Sequence, residues 1–177
     1  MLIGVGNDIV DIDRIRAVLD RQGERFIQRI LRPGERAYCE RRHDFAAALA
    51  RHYALKEAAV KALGTGFRHG VGWRDVGLAR PEPGGVFSKP RLTFEGGALV
   101  RLNAMLREGE EMVGDWSMSD EPPYATAYVV LFATAVGTET GPRAHSVAPS
   151  SPEPLCCAYN VGFTVITRRD HGEQEQE

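Results

Sequence analysis

Phe45 to Gly66 reads FAAALARHYALKEAAVKALGTG, and this stretch decides how the rest of the chain must be arranged. Alanine and leucine dominate it, proline is absent, and Asp44 stands where a helix N-cap belongs. It is predicted to run as one helix of about five turns and to stop at Gly64, where glycine tolerates a left-handed cap. Lys56, Glu57 and Lys61 interrupt an otherwise small, apolar surface. Glu57 and Lys61 sit at i and i+4 and therefore share a face. Taken alone, that spacing is also the spacing of a solvent-exposed pair worth about 0.2–0.5 kcal/mol. The Gly64-Thr65-Gly66 run that follows favours a functional reading, because a ligand backbone or phosphate can approach glycines closely.

Around this helix, 177 residues are enough for one domain with a real core. A content of 43% hydrophobic and 26% charged residues is that of an ordinary soluble globular protein. The net charge of -2 argues against a general nucleic-acid binder. The start, MLIGVGNDIVDID, carries no positive leader before its apolar residues. The longest uncharged apolar run, near Ala125 to Val136, is shorter than the roughly 20 residues of a spanning helix, so no membrane association is expected. Cys39, Cys156 and Cys157 are odd in number and two are adjacent, which suggests neither a disulfide framework nor a zinc site. A cytoplasmic protein is expected.

In chain order, Met1 to Val10 is rich in Ile and Val and reads as a strand whose Gly4 and Gly6 permit close packing or a bulge. Asp8 falls inside this apolar stretch, either facing solvent, capping the next helix, or binding a metal. Asp11 to Leu31 reads as helix in two pieces, broken at Gly23. Arg14, Arg21, Arg25 and Arg29 recur at helical intervals, with Asp13, Asp20 and Glu24 interleaved as in a solvated face. A turn at Leu31 to Glu35 leads into a short helix through Cys39 to Arg42. After the central helix, Phe67 to Leu78 is a glycine-rich loop running into a strand, Pro81 to Gly85 a tight connection, and Pro90 to Phe94 a short strand. Gly97 to Leu106 is an amphipathic helix. Val113 to Met118 and Tyr124 to Thr134 are two antiparallel strands joined through Ser119 to Pro123. Composition changes at Gly137. Residues 137–154 read as a flexible linker, and within Leu155 to Thr167 the run Gly162 to Ile166 can form one isolated strand. The domain is thus expected over 1–136, with a largely disordered linker and extension over 137–177.

Three stretches, in this order and spacing, carry a resemblance that none carries alone. They are Gly6-Asn7-Asp8-Ile9-Val10-Asp11-Ile12-Asp13-Arg14-Ile15, then Lys56-Glu57-Ala58-Ala59-Val60-Lys61-Ala62-Leu63-Gly64-Thr65-Gly66, then Ser117-Met118-Ser119-Asp120 before Tyr124-Ala125. Arg29-Ile30-Leu31 with Glu35, and Lys89-Pro90 before a strand, add to it. Together they resemble the bacterial holo-acyl-carrier-protein synthases, the small class of 4'-phosphopantetheinyl transferases, over roughly Met1 to Thr134. The resemblance implies an α+β fold with an antiparallel sheet packed on a long central helix. It also implies a homotrimer with each active site between neighbouring subunits. The implied reaction moves phosphopantetheine from coenzyme A to a serine of apo acyl carrier protein and releases adenosine 3',5'-bisphosphate.

The residues suit that chemistry. A pyrophosphate must have its charge screened before an oxygen nucleophile approaches, and Mg²⁺ prefers a few carboxylates, phosphate oxygens and water. By the resemblance, Asp8 and Glu57 are the metal ligands, and Lys61 neutralises charge developing on the phosphate and leaving group. A metal-bound water, Glu57 or Asp120 is left as the group that takes the serine proton. Coenzyme A contacts are expected from Lys61, Gly64, Thr65, Gly66, His52 and Lys89, and carrier-protein contacts from Arg14, Arg21 and Arg25. The glycine run is not a P-loop, because it ends a helix and no Lys-Ser or Lys-Thr follows. In two places the chain departs from the family habit. His52 stands where Arg is common, with fewer donors for a phosphate, and Asp120 stands where many members carry His. Two other readings use the same residues: a non-catalytic carrier-binding module, and a Mg²⁺-dependent phosphohydrolase of small nucleotides.

Overall fold

A computed structural model describes residues 1–79 and 90–137, and the backbone of 164–167. Strand β1 (Leu2–Asp11) leads directly into α1 (Ile12–Gln22), and the Asp11 side chain caps that helix by accepting from the Asp13 and Arg14 amides. Gly23, at φ 49°, breaks the helical run where expected and α2 (Glu24–Ile30) follows. Pro33 starts α3 (Pro33–Cys39), whose Glu35 reaches back to the Arg32 amide at 2.8 Å. The central helix α4 spans Phe45–Ala62; Asp44 caps it through the Ala47 amide at 3.0 Å, and Gly64, at φ 72°, lies just beyond its end. A 3₁₀ turn at Trp73–Asp75 opens onto the ribbon of β2 (Val76–Ala79) and β3 (Arg91–Phe94). Helix α5 (Gly96–Met105) and the hairpin β4 (Glu110–Glu121) and β5 (Tyr124–Ala135) complete the domain.

The main sheet is antiparallel in the order β1-β5-β4-β6, where β6 is Thr164–Thr167. Helix α4 lies on its inner face and is buried on nearly every side, from Ala46 to Ala62. That explains its composition: a helix enclosed all round needs small apolar residues rather than a stripe. Its close seat depends on β1. A Cβ at Gly6 would lie 1.9 Å from the Ala58 carbonyl oxygen, and one at Gly4 2.1 Å from that of Ala62. Helix and strand backbones are in direct contact there, and no other residue fits.

Three expectations need correction or placing. The hairpin connection is Pro122-Pro123 alone, with Glu121 opposite Tyr124, so Ser119 to Glu121 belong to β4 rather than to a loop. Their polarity reflects the exposed end of the sheet, where alternate residues face water. The C-terminal strand is not isolated, since Thr164–Thr167 pair with Gly114 to Glu111 along the edge of β4. The connection at 81–85, Lys89, the linker 138–154 and the rest of the extension lie outside the described residues. Among the described residues no helix is long and apolar enough to cross a membrane.

Candidate active site

Asp8 lies on the inner face of β1, two residues beyond Gly6, so the close strand–helix contact carries it to the flank of α4. There Lys61 donates to Asp8 Oδ1 at 2.7 Å and to the Asn7 carbonyl oxygen at 3.0 Å. The Asp8 side chain is 15% exposed and that of Lys61 48%, so the pair opens to solvent on one side. Glu57, one turn before Lys61, is partly buried. Burial pushes its carboxyl above the ordinary value, the charge of Asp8 pushes the same way, and Lys61 opposes both. Two carboxylates that raise one another's cost, beside one lysine, form a place where a cation lowers the energy.

Among the described residues no three His, Cys, Asp or Glu side chains converge on one point. Two carboxylates are too few to enclose a cation but suit Mg²⁺, which keeps waters and takes the rest of its ligands from substrate phosphates. Asp8 and Glu57 are the residues that would hold it.

Tyr53, one turn before Glu57, shares this face and was not singled out by the sequence. Its hydroxyl is raised by burial and by the charge of Glu57; Arg14 pulls it down, Asp8 raises it again and Arg29 pulls it down. Arg14 and Arg29 therefore both sit within electrostatic reach of the site. The Arg21 guanidinium instead turns back to the Ala17 carbonyl at 3.1 Å, and Arg25 lies past the Gly23 break. Only the i−4 spacing of Tyr53 from Glu57 signalled this grouping in advance.

The turn after α4 differs in kind from a phosphate cradle. The amides of Thr65 and Gly66 both donate to the Val60 carbonyl at 3.2 Å, so they serve the helix end. Gly64 and Gly66 are needed for φ values of 72° and 58°, and a Cβ on Gly66 would meet only open space. The turn offers a bare backbone surface beside Lys61, with the Arg101 guanidinium close by on the Leu63 carbonyl at 3.0 Å.

His52 is a correction. It is 2% exposed, set edge-on to Tyr38 at 5.7 Å, with Nδ1 3.8 Å from Glu35. Five helical residues separate it from Glu57, turning it about 140° from the active face. It is a core residue, and a phosphate contact from it has no route. Arg51, its neighbour, is bonded to Asp120 at 2.7 Å. Asp120 stands on β4, two strands from Asp8, which is about 10 Å across a sheet. Within one chain it does not join the Asp8–Glu57–Lys61 cluster. Lys89 lies outside the described residues.

A sequence profile of the 4'-phosphopantetheinyl transferase superfamily matches residues 4–103, the span holding Asp8, Glu57, Lys61 and the Gly64–Gly66 turn. The chain belongs to this superfamily. Among similar transferases, the holo-[acyl-carrier-protein] synthase of Parvibaculum lavamentivorans is 46% identical over 131 residues, covering 74% of this chain and 96% of that protein. The crystal structure of the Neisseria meningitidis synthase is 33% identical, with a TM-score of 0.60 over 75% of this chain and 99% of that one. The Helicobacter pylori synthase, solved in complex with coenzyme A, is 26% identical, with a TM-score of 0.56 over 72% of this chain and 99% of that one. About three-quarters of the chain thus matches nearly the whole of each of these transferases.

Proposed function

We infer that this chain transfers 4'-phosphopantetheine from coenzyme A to a serine of apo acyl carrier protein. The observation that carries the reading is the open cluster of Asp8, Glu57 and Lys61 at the contact of β1 with α4. The serine oxygen attacks the phosphorus bearing pantetheine; the pyrophosphate P–O bond breaks and its electron pair leaves on adenosine 3',5'-bisphosphate. Asp8 and Glu57 would hold a Mg²⁺ ion, which when bound would supply charge neutralisation for the pyrophosphate. Lys61 supplies a positive charge to the oxygens on which negative charge grows. The serine proton goes to Glu57, the carboxylate within the cluster; Asp120, the other one considered, is held by Arg51. The Gly64–Gly66 turn and Thr65 give coenzyme A a backbone surface to lie against.

The carrier docks on the basic face of α1 and α2. Acyl carrier proteins are acidic around the modified serine, and Arg14, Arg21 and Arg25 are all exposed. The charge of Arg14 reaches Tyr53, which shares the face of Glu57. The working unit we propose is a homotrimer. The outer face of the sheet leaves Val5 56%, Ile9 63%, Tyr124 50%, Tyr128 54% and Phe132 37% exposed, a contiguous apolar surface on adjacent β1 and β5. Such a patch fits association with further copies of the chain. The cytoplasm is the compartment we assign; Cys39, a thiol fully buried in the core, is at home there.

Incubation with coenzyme A, Mg²⁺ and apo acyl carrier protein tests the reading by intact-mass spectrometry of the carrier. The expected result is a gain of one phosphopantetheine, with adenosine 3',5'-bisphosphate released in equal amount. Breakdown of coenzyme A without mass gain would make the chain a phosphohydrolase. Binding of carrier without either would make it a docking module.

A further inference from the structure

Lys56, next to Glu57 in sequence, points away from the active face and is 0% exposed. Its ammonium donates to the Val76 carbonyl at 2.6 Å and the Trp73 carbonyl at 3.2 Å, and pairs with Glu35 at 2.8 Å. Glu35 is equally enclosed and accepts from the Arg32 amide at 2.8 Å and the Leu78 amide at 3.1 Å. Burial pushes Lys56 down, which Glu35 resists; burial would raise Glu35, but Lys56, His52 and the hydrogen bonds hold it below its ordinary value. The ion pair is held in the interior at a desolvation cost that well-packed apolar side chains would avoid. Stability alone is therefore a poor reason for the pair.

What the pair fixes is backbone. Lys56 ties the middle of α4 to the start and end of the segment Trp73–Val76, and Trp73 carries the effect onward through its ring. The indole stacks on Phe67 at 3.7 Å and lies 4.5 Å from the ring of Tyr53. Phe67 directly follows Gly66, and Tyr53 shares the face of Glu57. One buried ammonium thus connects the glycine turn to the helix that bears Glu57 and Lys61.

We propose that Lys56, with Glu35 as its counterion, is a positioning residue for coenzyme A: it sets the segment from Gly64 to Trp73 at a fixed distance from Glu57 and Lys61. This rests on the reading of the site as a coenzyme A site. A purely structural pair would instead lower the apparent kcat through the folded fraction and leave both KM values unchanged.

The test compares Lys56→Met, Glu35→Gln and the double variant Lys56→Met/Glu35→Met, assayed at a temperature where circular dichroism shows each folded. Each single change leaves a buried charge or its acceptors unmatched and should lower Tm, while the double change should recover much of that loss. The KM for coenzyme A should nonetheless rise at least tenfold in the double variant, with the KM for apo carrier protein and kcat within threefold of the parent. Calorimetric binding of coenzyme A should weaken by the same factor. The kinetic split decides, whatever Tm does. A parent-like KM for coenzyme A in the double variant, or parallel losses in both KM values and kcat, would overturn the positioning role. The parent protein runs alongside: if it fails to modify carrier, the functional reading falls, whereas a working parent without the split condemns only the role of Lys56.

Discussion

Replacing Gly6 by alanine should disable the site from inside the fold. A Cβ there would lie 1.9 Å from the Ala58 carbonyl oxygen and 2.7 Å from the Ala62 amide nitrogen, against a practical lower limit of 3.0 Å for real contacts. Both opposing atoms are backbone, so no rotamer change relieves the clash, and α4 must lift from β1 by more than 1 Å. Overpacking of this kind costs about 1–3 kcal/mol, and rigid backbone opposition puts Gly6→Ala at the upper end. For a chain of this size that corresponds to a Tm lower by about 6–12 °C. The functional loss should be larger. The lifted turn, Ala58 to Ala62, directly follows Glu57 and contains Lys61, and the 2.7 Å contact of Lys61 with Asp8 spans the same gap. Misplacing reacting groups by about 1 Å costs about 100-fold in rate. Urea denaturation followed through Trp fluorescence gives the stability, and initial rates of carrier modification at saturating substrates give kcat. Parent-like values of both would refute the claim that this contact places Asp8. Lower stability with an unchanged kcat would confine the glycine to the fold.

Asp8→Ala and Glu57→Ala should each reduce transfer below 1% of the parent while circular dichroism stays unchanged, because each removes a carboxylate that would hold the cation. Glu57→Gln should in addition stabilise the ligand-free protein. The carboxyl is raised on folding, so its stability contribution is full below its unfolded value and falls as pH rises through the folded one. The variant should therefore gain stability at pH 7 and none at pH 3.5, as read by Tm against pH. Lys61→Ala should lower kcat more than coenzyme A affinity, since it acts on developing charge; an unchanged kcat in stopped-flow transfer would reduce it to a ground-state contact. Charge reversal at Arg14 or Arg21 should raise the KM for carrier and flatten its salt dependence, more at Arg14, with coenzyme A affinity untouched. A chain ending at Gly137 should keep transfer within twofold but show a lower Tm, because residues 111–114 of β4 lose their partner strand; an unchanged Tm would give that pairing no weight.

Asp44, Gly23 and Gly64 could be placed from sequence because caps and breaks depend on neighbours in the chain. The same holds for Glu57 and Lys61, whose four-residue spacing fixes a shared helix face. His52 could not be placed, since a helix buried all round has no apolar stripe from which to read its phase. Lys56 was hidden for a related reason: its acceptors, the carbonyls of Trp73 and Val76, are backbone atoms and carry no residue signature. The pairing of Arg51 with Asp120 joins residues 69 apart, and β6 finds β4 across a long connection. Contacts of that reach depend on topology that local pattern does not encode. Polar residues at Ser119 to Glu121 suggested a loop because sheet ends and loops both face water.

Whether Asp8 and Glu57 share one cation with the coenzyme's pyrophosphate is open to direct measurement. Titration of Mn²⁺, followed by electron paramagnetic resonance, measures this without any turnover. The parent should bind Mn²⁺ weakly alone and at least tenfold more tightly with coenzyme A present, and both Asp8→Ala and Glu57→Ala should abolish that enhancement. Equal Mn²⁺ affinity with and without coenzyme A, or an enhancement that survives in either variant, would contradict a shared cation.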